Sequence, residues 1–177
     1  MYRKCATEVS VLHQKQVADS LLKLMETTSW ENVTVTQLCR EAGVTRRVFY
    51  HLFSNKTGAL HALIDQRIMA IESYRRDEPD DMLRFFLYWR EQRPLLDALE
   101  KSGMTGLLLE RMIGNVLSED RDVLYWLRRN GWENNSKEVV IFILSGLMGL
   151  IYSWHFEGYR KTPEELAGIV EKMFSQK

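Results

Sequence analysis

Thr45-Arg46-Arg47-Val48, followed by Tyr50 and His51, is the stretch of this sequence whose residue types and spacing could do chemistry. Arginine has the planar fork that bonds guanine O6 and N7 together, worth about 1–3 kcal/mol of discrimination per base. Arg46 and Arg47 at the start of a short helix would sit where base edges are read, and Val48 could touch a thymine methyl. Thr36, Thr45, Tyr50, His51 and Lys56 bring hydroxyl, imidazole and ammonium groups suited to phosphate oxygens. Two adjacent arginines could equally be a solvated helix face, so the surrounding pattern must decide. Enzyme chemistry has no comparable support. His155 and Glu157 are two apart and point to different helix faces, and His13 and His61 are isolated. Cys5 and Cys39 form no CxxC pair, and no Gly-rich phosphate loop or nucleophile elbow is present. The expectation is therefore no catalytic residues, no metal and no cofactor.

The elements needed to hold these residues can be read from periodicity and capping. Ala18, Leu21, Leu22 and Met25 make the apolar stripe of a first helix, with Val11 one heptad earlier, and the helix ends near Thr27-Thr28-Ser29. Trp30 and Val33 form an apolar connector. Thr34 with Gln37 three residues later reads as a capping box that opens a short helix stopping at Gly43. Thr45 caps a third helix over roughly 46–53. Ser54-Asn55-Lys56 is a turn, and a fourth helix presents Leu60, Leu63, Ile64, Ile68 and Ile71. A short helix, a turn with Gly and a second short helix form a helix-turn-helix unit at about 35–54.

Thr34, Ala42-Gly43-Val44, Phe49-Tyr50, Phe53 and Lys56 stand at the spacing of the signature of the TetR family of regulators, which residues 9 to about 72 resemble. The resemblance implies DNA contacts from Thr36, Thr45, Arg46, Arg47, Tyr50, His51 and Lys56, and core roles for Phe49 and Phe53. It also has departures. Leu52 replaces a polar aromatic or His that touches a phosphate, Arg47 and Val48 replace small residues, and Thr57-Gly58 replaces an acidic start to helix four. The arginine followed closely by Phe49-Tyr50 is similar to a subgroup containing the dihydroxyacetone kinase activator.

The rest of the chain reads as all-α as well. The 45% apolar composition is ample for a core and excludes wholesale disorder. Residues 1–60 carry eight Lys and Arg against five Asp and Glu, and the remainder carries sixteen against nineteen. That asymmetry suits a basic head on an acidic body. The charged run Arg75 to Asp81 places a boundary between a DNA-binding domain at 1–76 and an effector-binding and dimerisation domain at 77–177. Helices are predicted near 80–92, 94–101, 104–118, 121–130 and 137–159, and a last one begins at Thr162-Pro163 with Glu165 completing its start. The stretch Val139 to Trp154 lacks charge but is too short for a membrane span, and the helix at 137–159 that holds it is apolar all round, which predicts burial on every side inside protein. Ser145, Gly149 and Ser153 recur every four residues, so another backbone could approach closely, from the same subunit or a second one. The family's last two helices pair with a partner's in a four-helix bundle. By that resemblance Ser145, Gly149, Ser153, Leu166, Ile169, Val170 and Met173 form a homodimer interface. Phe85, Phe86, Trp89, Met104, Leu108, Met112, Trp126 and Trp154 could line a pocket for a small-molecule effector or an ordinary core. Residues 1–5 lead into no apolar run, and the unpaired cysteines fit a reducing compartment, so the expected location is cytoplasmic. The leading reading is a homodimeric repressor on a palindromic double-stranded operator. The alternatives are control by a protein partner, or a helical adaptor that has lost DNA binding.

Overall fold

A computed structural model describes residues 2–3, 7–74, 81–117 and 136–175. The charged run at the expected boundary (apart from Asp81), the helix expected at 121–130, Trp126 and Cys5 lie outside the described residues. Those residues form nine α-helices and a single turn of 3-10 helix: α1 Glu8–Thr27, the 3-10 turn Trp30–Asn32, α2 Val35–Glu41, α3 Arg46–Leu52, α4 Lys56–Tyr74, α5 Asp81–Glu91, α6 Arg93–Lys101, α7 Thr105–Leu117, α8 Lys137–Phe156 and α9 Pro163–Ser175. Among the described residues the sole β feature is an isolated antiparallel bridge between Tyr2 and Phe53. The chain divides into two compact units, Met1–Arg67 with Pro94–Thr105, and Ile68–Arg93 with Gly106–Lys177.

In the first unit α1 is capped by Thr7, whose hydroxyl accepts from Ser10 N at 3.3 Å. Its buried face is Gln14, Val17, Ala18, Leu21 and Met25. Val11 does not join it and is 52% exposed. Gln14 takes the place one turn before Ala18, because its amide donates to the Arg3 carbonyl at 2.8 Å and is covered there. The core of this unit gathers Leu21, Leu38, Phe49, Phe53, Leu60, Leu63 and Ile64, and α6 adds Leu95, Leu96 and Leu99. An Arg67–Asp19 ion pair at 2.8 Å ties α4 to α1.

In the second unit α5 packs against both α8 and α9. Phe86 meets Trp154 edge to face at 5.9 Å, and Phe85 and Tyr88 flank Trp89. α8 stops at Phe156, three residues short of the expected end, because Gly158 and Tyr159 both take left-handed backbone with φ of 69° and 60°. The start of α9 matches its reading. Thr162 Oγ accepts from Glu165 N at 3.3 Å, and Glu165 Oε2 accepts from Thr162 N at 2.7 Å.

Burial on every side of α8 is not what the single chain has. Val140, Ile143, Leu144, Leu147, Met148, Ile151 and Trp154 are buried, while Phe142 is 78% exposed and Gly146, Gly149, Ser153 and Phe156 are exposed with it. The apolar periphery therefore splits into an inner and an outer face. At 20 residues α8 is long and apolar enough, by length and composition alone, to cross a membrane. Its inner face packs in the same unit as a core helix does.

Candidate nucleic-acid interface

α2, the turn and α3 are set by local chemistry. Thr34 Oγ accepts from Gln37 N at 3.2 Å, and the Gln37 side chain accepts from Thr34 N at 2.9 Å, the capping box expected from sequence. Gly43 turns the chain with φ of 65°, and Val44 N closes the turn on the Cys39 carbonyl at 3.0 Å. Only glycine adopts that conformation without strain. Thr45 caps α3, accepting from Val48 N at 3.2 Å.

Within α3 the residues divide by face. Phe49 and Leu52 are buried, with Phe53 just beyond the helix buried beside them, and Phe49 stacks on Phe53 at 5.2 Å. Leu52 points into the core, so this position offers nothing to a phosphate. Arg46, Arg47, Tyr50 and His51 are exposed together, Val48 is half-buried, and Thr36 and Thr45 are exposed nearby. α3 contains no acidic residue. Arg46 is steadied by Thr36 Oγ at 3.4 Å and lies 5.8 Å from the Tyr50 ring centroid. Arg47 has no hydrogen-bond or ionic partner among the described residues. The acid closest in sequence to the turn, Glu41, is paired with Lys23 at 2.9 Å. The hydrogen bond from Lys23 holds the Glu41 carboxyl below its ordinary range and raises the Lys23 ammonium.

Residues 19–63 match the sequence profile of the bacterial regulatory proteins of the tetR family. This helix-turn-helix domain is a TetR-family domain. No curated protein matches the chain. Among solved structures, the TetR-like chain resembles the dihydroxyacetone kinase operon activator DhaS at 14% identity, with TM-score 0.58 over 93% of this chain and 94% of that one. It resembles the TetR family repressor AlkX of Dietzia sp. strain DQ12-45-1b at 19% identity, TM-score 0.54, over 91% and 92%. The fatty acid degradation regulator FadR of Bacillus halodurans aligns at 16% identity, TM-score 0.54, over 97% and 96%. At these identities the likeness is one of fold. The chain thus has the fold of a DNA-binding transcription regulator.

Lys56 is engaged within the protein. Its Nζ donates to the carbonyls of Trp30 at 2.6 Å, Glu31 at 3.3 Å and Val33 at 3.1 Å, and lies 4.5 Å from the Trp30 ring centroid. An ammonium has three protons, so none remains for a phosphate in this conformation. Sequence reasoning missed the arrangement because its acceptors are main-chain carbonyls, which no residue type announces. It also missed the N-terminal segment. Arg3 N donates to the Leu52 carbonyl at 3.0 Å and Tyr2 OH donates to Asp65 Oδ2 at 2.5 Å, so residues 2–3 lie along the end of α3. No periodicity links positions so far apart.

The other expected sets divide. Leu166 and Val170 are buried within one chain, in the helix that packs on α5. Ile169 is exposed and Met173 is 69% exposed. Ser145 is half-buried, so the exposed small residues are Gly146, Gly149 and Ser153 and not the every-fourth set. A Cβ placed on Gly146 or Gly149 would meet nothing within 4 Å, so no neighbour among the described residues of the chain requires glycine there. Of the pocket candidates Phe85, Phe86, Trp89, Leu108, Met112 and Trp154 are buried in the second unit. Met104 belongs to the first unit and is half-buried.

Proposed function

We propose that this chain is a cytoplasmic, homodimeric repressor whose two α3 helices read the half-sites of a palindromic operator and whose grip is released by a small-molecule effector. The observation that carries the DNA-reading role is the α3 face itself, with Arg46, Arg47, Tyr50 and His51 exposed on one acid-free helix. Dimerisation is supported by Phe142, Gly146, Gly149, Ser153 and Phe156, exposed at heptad spacing along α8, together with exposed Ile169 and Met173 on α9. Support for an effector comes from a contrast between two buried tryptophans of the second unit. Trp154 Nε1 donates to the Lys161 carbonyl at 2.8 Å, whereas the fully buried Trp89 Nε1 has no acceptor among the described residues. A buried donor left unpaired costs about 1–3 kcal/mol, and an apolar effector carrying an oxygen acceptor would recover it.

The test is selection of bound duplexes from sheared genomic DNA by the wild type and by Arg47→Ala at fixed salt. A palindrome enriched by the wild type and bound about 5- to 150-fold more weakly by the variant is the expected result, the equivalent of losing one bidentate guanine contact. An effector is then a compound that releases this duplex from the wild type and not from Trp89→Phe. Failure of any sequence to outcompete random DNA would remove the reading.

A further inference from the structure

We infer that Lys56 acts as a positioning residue that closes the helix-turn-helix at both ends, and is not a phosphate ligand. The inference rests on the DNA-reading role proposed above. Trp30, Glu31 and Val33 belong to the short turn that ends immediately before Thr34, the N-cap of α2. The Trp30 carbonyl already accepts from Val33 N at 3.3 Å, and carbonyls at a helix end carry partial negative charge that attracts a cation. Lys56 opens α4, four residues after α3 ends at Leu52. The segment 34–55, which holds α2, the turn and α3, therefore begins and ends at one ammonium ion. Its three N–H groups meet three carbonyls at 2.6, 3.1 and 3.3 Å, and the Trp30 ring adds a cation–π contact at 4.5 Å. A phosphate oxygen could take a proton from Lys56 only by displacing one of these carbonyls. Such a displacement would loosen the entry to α2. The gain from a tight clamp is geometric, since base reading needs α3 fixed relative to α1 and α4, whereas attraction to any duplex does not.

The two roles separate in their salt dependence. A phosphate ligand contributes about 0.9 to the slope of log affinity against log salt, for operator and random DNA alike. A positioning residue leaves that slope untouched and lowers the operator affinity selectively. Lys56→Met removes the ammonium and keeps most of the stem. Lys56→Arg keeps a charge that reaches phosphate, but its flat fork does not converge on three carbonyls around one point. The inference expects both variants, measured well below their melting temperatures, to bind the selected operator at least about tenfold more weakly. Their affinity for random DNA and their salt slope should match the wild type. A slope reduced by about 0.9 in Lys56→Met, with Lys56→Arg behaving as wild type, would overturn it.

A measurement on the unaltered protein keeps the question decidable if either variant fails to fold. Acetic anhydride footprinting read by mass spectrometry should find the Lys56 amine protected already in the free protein, with no added protection from any duplex. An amine that reacts freely and becomes protected only on adding DNA would reject the clamp. Should the wild type bind no duplex at all, the DNA-reading role falls while the free-protein footprint still reports whether the ammonium is held.

Discussion

Burial pushes the Cys39 thiol above its ordinary range, and the neighbouring Arg46 guanidinium offsets this only in part. The thiolate is the reactive form, so a raised thiol is less ionised than an exposed cysteine at any given pH, and its reaction is delayed to more alkaline solution. With Cys5→Ser as background, Cys39 should resist iodoacetamide at neutral pH in the native protein and label readily in urea. Rapid native labelling would contradict this and reopen a redox role. The same neighbourhood distinguishes the two arginines. Arg46 is already held by Thr36 and Tyr50, so in the proposed complex it would meet DNA with less side-chain freedom to lose than Arg47.

Thr45 carries two duties within one element, and substitution can part them. Its oxygen caps α3 by accepting from Val48 N, which leaves the hydroxyl proton available to a phosphate. Thr45→Ala should cost about 1 kcal/mol of stability by denaturant unfolding, the usual loss of a helix cap. Thr45→Asp keeps a capping oxygen but places negative charge where phosphates would lie, so it should retain stability and lose duplex binding. Wild-type affinity in Thr45→Asp would show that this helix end does not face DNA. These caps also show what a sequence discloses. The boxes at Thr34–Gln37 and Thr162–Glu165 involve side chains and backbone within four residues of each other, and both were legible. Val11 was misplaced because only the distant Arg3 carbonyl decides that Gln14 is covered instead. The residues on the exposed face of α3 were named from their chemistry at the helix start and from the family resemblance, but the clamp at Lys56 was not, since main-chain acceptors leave no compositional trace.

At the scale of the molecule, the outer face of α8 and α9 gives the proposed dimer a sharp test. Phe142→Asp adds charge to an exposed position, so it should leave helix content and melting unchanged while converting the protein to a monomer by sedimentation. Operator binding should weaken with it, because paired half-sites need paired heads. Leu166→Asp, buried within one chain, should instead unfold the protein, since an unpaired charge has no place in that core. A Phe142→Asp protein that still sediments as a dimer would move the interface elsewhere. The turn that joins α8 to α9 bears on how such an assembly would form. Tyr159 holds a left-handed backbone at a cost of about 1 kcal/mol or more. It stacks on Trp154 at 4.8 Å and its hydroxyl meets His155 Nδ1 at 2.8 Å, while Trp154 reaches on to Lys161. The angle between the two helices is therefore set before any partner arrives. A second subunit would meet two struts already locked and would have no linker to order on docking, so subunit exchange would proceed by rigid-body separation and without local unfolding.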